Sequence, residues 1–180
     1  MKRPACHAAA LCIGVAVLAL AGCAADHVAG IPRAAHPNSS PVGAPAPACA
    51  FNLEDIEDRR ETTELGQMGR TRIGGEGFTR WFADAMAAMP GHTHERTTRT
   101  VKVTVLKAYI QGLATLKSAH LVVRVQSARE GKASDARIYR GADASMNWAN
   151  TEAEIQEAFD RALTDLTAQI ATDLQASCKG

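Results

Sequence analysis

Aromatic side chains are scarce: they make up 4 % of the 180 residues, with four Phe, two Tyr and two Trp. A core built mainly from Val, Ile, Leu, Met and Ala buries less area per side chain than an aromatic one, so burial alone predicts modest stability. A basic surplus is missing too. Lys and Arg number 20 against 19 Asp and Glu. A nucleic-acid binder neutralises several phosphates and shows it as clustered excess cations, so this balance speaks against a nucleic-acid partner. The hydrolase elbow Gly-x-Ser-x-Gly does not occur, and Gly74-Gly75-Glu76-Gly77 lacks the Lys-Ser/Thr that completes a phosphate loop. His120 has no Ser, Cys or Asp partner at motif spacing. With no nucleophile and base to name, neither an enzyme nor a cofactor is expected. What remains, 46 % apolar and 22 % charged residues, is the composition of one ordinary soluble domain.

The N-terminus carries the most specific pattern. Lys2 and Arg3 precede a nearly unbroken apolar stretch of 13 residues at 8–20, the proportions of a signal peptide. A membrane span needs about 20 apolar residues. Stretching the segment to residue 25 runs it into Asp26 and His27 without a basic stop-transfer flank, and an uncleaved anchor is the alternative. Leu20-Ala21-Gly22-Cys23 then resembles the lipobox of bacterial lipoproteins. Small residues admit the backbone to a peptidase, and the thiol accepts a thioether-linked lipid. The resemblance implies cleavage before Cys23 and acylation of its sulfur, and Ala24 in the next position implies sorting to the outer membrane. A non-lipidated secretory signal is the alternative. Several acyl chains on one cysteine hold far more firmly than a single myristoyl group.

With residues 1–22 removed and Cys23 acylated, Cys49 and Cys178 are left, an even pair in an oxidising compartment. A disulfide between them is expected, with two free buried thiols as the alternative. Residues 24–48 hold five prolines and eight alanines, and cannot bury enough surface to offset their ordering entropy. The expected organisation is therefore a signal peptide over 1–22, a lipidated tether over 23–48 and a periplasmic domain over 49–180. Such a tether would reach about 78 Å if polyproline-like, or roughly 25 to 30 Å as a flexible coil.

Within the domain, residues 51–57 read as a short strand and 59–77 as a glycine-punctuated loop or weak hairpin. Phe78, Phe82, Ala85, Met86 and Met89 predict a helix that Pro90-Gly91 stops. Val101, Val103 and Val105, then Leu121, Val123 and Val125, alternate with polar residues and predict a hairpin turning near 111–115. A third strand is expected at 136–140. Thr151 and Glu154 fit a capping box, and Ile155, Phe159, Leu163, Leu166, Ile170 and Leu174 form one stripe that must cover a sheet. The expected fold is an α+β two-layer sandwich: a mainly antiparallel sheet of about four strands with two helices on one face.

Few residues invite a chemical role. His92 and His94, next to Glu95, could hold a metal if both rings shared one side, but they follow a helix stop and lack a distant third ligand, so a solvated loop competes with that reading. Glu54, Asp55, Glu57 and Asp58 read as surface charge rather than an acid/base pair. Tyr139, Arg140 and Trp148 are residue types that anchor protein interfaces, although a Trp before a helix more often packs over its first turn.

Taken together, Leu20-Ala21-Gly22-Cys23, the Pro/Ala segment, the hairpin spanning 101–125, Tyr139-Arg140-Gly141 and Ala158-Phe159-Asp160-Arg161-Ala162-Leu163 resemble small outer-membrane lipoproteins. These include the YajG-like group and the auxiliary lipoproteins of ABC-type envelope transporters. The similarity covers the leader and roughly residues 95–175, and it carries no functional residue onto this chain. It implies a periplasmic accessory role with a protein or lipid partner, engaged through the uncovered sheet face or an exposed strand edge.

Overall fold

The computed structural model describes residues 28–30, 49–95 and 97–178. Its order is β1 (Val28–Gly30), β2 (Asn52–Leu53), β3 (Glu57–Asp58), β4 (Gly66–Met68), β5 (Thr71–Gly74), α1 (Phe78–Ala87), β6 (Arg99–Gly112), β7 (Leu116–Arg129), β8 (Lys132–Ala133), β9 (Arg137–Met146) and α2 (Glu152–Ala176).

The expected hairpin is the spine. β6 and β7 each run 14 residues and pair antiparallel from Arg99↔Arg129 to Gly112↔Lys117. Val101, Val103 and Val105 point into the core, and then Ala108 and Ile110 do. That change of parity needs an extra residue, which a register shift between Val105 and Lys107 supplies. β9 pairs antiparallel with the other side of β7, from Val125↔Arg137 to Leu116↔Met146, and is twice as long as expected.

The sheet departs from the expected four mainly antiparallel strands. It contains nine strand segments among the described residues, and its first side is parallel. β2, β3 and β4 lie successively along one edge of β6, opposite Thr100–Val101, Thr104–Val105 and Ile110–Gln111. One edge strand, broken twice, takes the place of the single short strand expected at 51–57. Parallel neighbours need a long connection, and β5 with α1 supplies it between β4 and β6, whereas tight turns give antiparallel neighbours. β4 and β5 form the weak hairpin expected within 59–77. Within the segment expected as a tether, Val28–Gly30 pairs in parallel with β5; the rest of residues 1–48, Cys23 included, lies outside the described residues.

Both helices cover the face to which Val103, Leu121 and Val123 point. The α2 capping box is complete: the Thr151 side chain accepts from the Glu154 amide, and the Glu154 carboxylate accepts from the Thr151 amide. Ile155, Phe159, Leu163, Leu166 and Ile170 are buried, and Leu174 packs at the margin of the core. The helix also lies very close to β9. A Cβ at Gly141 would stand 2.1 Å from the Ala162 carbonyl oxygen and 2.6 Å from the Leu166 Cβ, so only glycine fits there. The scarce aromatics are concentrated rather than absent inside: Phe51, Phe78, Phe82, Phe159 and Trp81 are among the largest fully buried side chains, which the expectation of an aliphatic core missed.

Candidate binding surface

Four side chains at i+4 spacing on α2 stitch it to β9. Asp173 accepts hydrogen bonds from the Tyr139 hydroxyl at 2.7 Å and the Arg137 guanidinium at 2.8 Å. Gln169 donates to the Arg140 carbonyl at 2.9 Å, and Asp165 accepts from the Ala142 amide at 3.1 Å. Arg161 donates to both oxygens of Asp143 and to Ser145. Gln169 and Asp165 thus take up main-chain groups that the last strand turns away from β7. A free strand edge invites another chain, and these side chains blunt this one.

Tyr139 therefore works inside the molecule, on the helix side of β9, in a cleft of 480 Å³ that Arg137, Asp173, Ser127 and Ser134 also line. Burial, and then the hydrogen bond to Asp173, pushes its phenol up to about 12. The Tyr139 hydroxyl, followed by Arg137, holds the Asp173 carboxyl below its ordinary value. A phenol raised on folding stabilises fully below its unfolded value and loses that contribution as pH rises through the folded one. The Tyr139 contribution should therefore fade from pH 10.0 to about 12. Asp173, lowered, contributes above 3.8 and gives this up as pH falls further. In a Tyr109→Phe background, an ultraviolet titration should show the remaining phenolate forming near 12; a midpoint near 10 would contradict the Tyr139–Asp173 bond.

Arg140 points the other way. On the face of the sheet without helices, β6 contributes Lys102, Thr104, Lys107 and Tyr109, β7 contributes Ser118, His120, Val122 and Arg124, and β9 contributes Ile138, Arg140 and Ala142. None of these is acidic. Glu57, on β3, is the nearest carboxylate: it lies 3.9 Å from Lys102 and 2.6 Å from Arg59, and its pKa is lowered chiefly by the hydrogen bond from Arg59. Tyr109 stacks on His120 with ring centroids 4.8 Å apart, and the Ser118 hydroxyl lies 2.7 Å from the His120 ring nitrogen. Ile138, 42 % exposed, stands opposite Arg124 farther along the sheet. The face is thus mainly cationic, with the Tyr109–His120 pair toward one end and Ile138 toward the other.

Trp148 is not packed over the first turn of α2, as a Trp in that position more often is. It is 79 % exposed. Glu154 takes the space near the helix start, accepting from the Ala149 amide as well as closing the capping box, and this turns the loop outward. Tyr139, Arg140 and Trp148 therefore do not form one surface: the first faces α2, the second the open face, and the third the far end of the sheet. His92 and His94 meet edge to face at 4.8 Å, His92 also lies against Phe51, and no group of three metal-binding side chains occurs among the described residues. Of the acidic run, Asp58 is bound by Arg60 at 2.8 Å, and the Arg60 guanidinium lies 4.1 Å over the Phe78 ring at the start of α1.

The sequence reading overlooked Leu113 and Leu116, which are 61 % and 42 % exposed at the β6–β7 turn. The signal was present: a hairpin turn normally carries polar residues, and this one has leucines at both of those positions. Arg99 was also overlooked. It is buried and donates to the Leu174 and Ser177 carbonyls at 3.0 and 3.1 Å, capping the end of α2.

No family model matches the chain, and no curated protein matches it. Among solved structures, protein XCC0632 from Xanthomonas campestris, of the family DUF330, is similar with a TM-score of 0.53 at 12 % identity, over 83 % of this chain and 96 % of that one. Protein CT253 from Chlamydia trachomatis follows with a TM-score of 0.43 at 11 % identity, over 68 % of this chain and 95 % of that one. A minor lipoprotein from Acinetobacter baumannii gives 0.39 at 15 % identity, over 71 % and 93 %. At such identities the first likeness speaks for the fold alone.

Proposed function

We propose that this chain is a lipid-anchored, non-catalytic accessory lipoprotein of the bacterial envelope. Acylated on Cys23 and facing the periplasm from the outer membrane, it holds a protein partner against the open face of its sheet. The anchor rests on the leader and on Leu20-Ala21-Gly22-Cys23. The resemblance to auxiliary lipoproteins of ABC-type envelope transporters suggests the kind of assembly it serves.

One observation carries the partner role: β6, β7 and β9 present Lys102, Lys107, Arg124 and Arg140, with Tyr109 and Ile138, on a face where the carboxylate of Glu57 on the neighbouring β3 is already held by Arg59. Tyr and Arg are the residues that interfaces favour, and a face with a cationic surplus steers toward a partner of opposite charge. The partner surface is therefore acidic. The blunted β9 edge argues for the face rather than strand addition as the mode of binding.

Charge reversal tests this. In envelope extracts, the double variant Arg124→Glu, Arg140→Glu should lose a partner that cross-links to the original protein, whereas Glu130→Lys in the distant β7–β8 turn should keep it. Retention of that partner by the double variant would remove the open face from the proposal.

A further inference from the structure

One end of the sheet differs from the rest of the surface. The β6–β7 turn and the loop between β9 and α2 lie side by side there, since Leu116 pairs with Met146 and the Asn147 amide donates to the Thr115 carbonyl at 2.9 Å. Together they expose Leu113, Leu116, Met146 and Trp148 at 61, 42, 47 and 79 %. Residues 111–116 and 144–151 contain no charged side chain. Several main-chain groups at this end are already bonded. The Leu113 amide donates to the Leu116 carbonyl, Lys117 donates to the Met146 carbonyl, and the Ala149 amide donates to Glu154. Peptide groups satisfied in this way cost little to bring into an apolar medium. The opposite end of the sheet carries Arg99, Arg129, Glu130, Lys132, Asp135 and Arg137.

The chain direction says which way the uncharged end faces. β4 is parallel to β6, so the β4–β5 turn at Gly69 and Arg70 lies at the same end as Gly112. β1 is parallel to β5, and Val28 stands opposite Arg72, next to that turn. The N-terminal end of β1 is therefore at the end of the sheet that carries Leu113, Leu116, Met146 and Trp148. Cys23 is five residues before Val28. Five residues of fully extended chain span at most about 18 Å.

We infer that this end of the domain rests in the bilayer interface, with Leu113, Leu116, Met146 and Trp148 among the headgroups and upper acyl chains beside the anchor. A Trp flanked by aliphatic side chains and free of charge is the type of surface that settles at that depth. Arg70, on the adjoining turn, is placed to meet lipid phosphates. The sheet then stands upright on the membrane, and its cationic face is presented sideways to a partner in the periplasm. The inference rests on the anchoring reading, which orients the molecule.

The test uses the full mature lipoprotein in vesicles of equal parts phosphatidylethanolamine and phosphatidylglycerol. Intact mass is measured first. If Cys23 carries no acyl chains, the anchoring reading and this inference both fall. With Cys23 acylated, replacing the phospholipids by brominated ones should quench most of the Trp148 emission and leave that of Trp81, which is buried between the helices. The quenching should vanish in Trp148→Phe, an exposed position whose change leaves the fold intact. Acylated protein whose Trp148 ignores brominated lipid and stays open to aqueous iodide would overturn the inference and leave the anchor standing.

Discussion

Changing Cys49 and Cys178 together to Ser should lower unfolding stability by about 4 to 5 kcal/mol. The two cysteines are bonded across a sequence separation of 129, with Cα atoms 6.1 Å apart. Cys49 leads into the edge strand beside β6, and Cys178 closes the end of α2, so the bond ties the first described stretch of the domain to the last. Without it the unfolded chain regains the freedom of a very long loop, the main source of disulfide stabilisation in the chain-entropy description. The folded state should change little. Arg99 still clamps the helix end through Leu174 and Ser177, and Phe51 is still buried and bonded to Gly91 and Thr93. Urea unfolding of the double variant should therefore show a lower midpoint with an unaltered folded circular-dichroism spectrum. Equal midpoints with and without the bond would mean that the unfolded chain is already constrained there.

How far the sequence could be read depended on the range of the interactions involved. The capping box of Thr151 and Glu154 is local, and it formed as the spacing predicts. The stripe from Ile155 to Leu174 and the valine alternation in β6 and β7 were legible for the same reason. The cysteine pairing followed from counting in a compartment, without any geometry. Pairing across distance was not legible. Nothing local in residues 52–67 says that three short segments align in parallel along β6, because that depends on the path of the chain through α1. The bulge at Leu106 is invisible until one sees that Val105 and Ala108 share a face.

The same limit applied to the surface. Arg161, Asp165, Gln169 and Asp173 carry no signal in the sequence, since their i+4 spacing acquires meaning only once β9 lies alongside. Trp148 was given the commoner of its two roles, packing over the helix, and is instead 79 % exposed. Leu113 and Leu116 were legible as apolar residues in a turn, but that Met146 lies beside them depends on the pairing of β9 with β7. The residues most apt for binding are thus those whose local pattern is least regular, while the regular patterns built the frame that presents them.

Phe159→Ala should cost about 3 to 5 kcal/mol, and its effect should be felt across two elements. The ring is fully buried and meets the Trp81 ring edge to face, with centroids 6.3 Å apart at 82°. Trp81 also donates its indole N–H to Asp160 at 3.0 Å. These contacts join α1 to α2, and Phe78 and Phe82 stack behind them. In a chain with so few aromatics, removing one leaves neighbours that are themselves large and rigid and so cannot close over the space. The cost is the lost transfer free energy plus that of the remaining cavity. Trp81 would then lose packing on one side, and in a Trp148→Phe background its emission should move to longer wavelength while α2 stays helical. A loss below about 1 kcal/mol would show that α1 can move in to fill the gap, and that the aromatic cluster is not what couples the two helices.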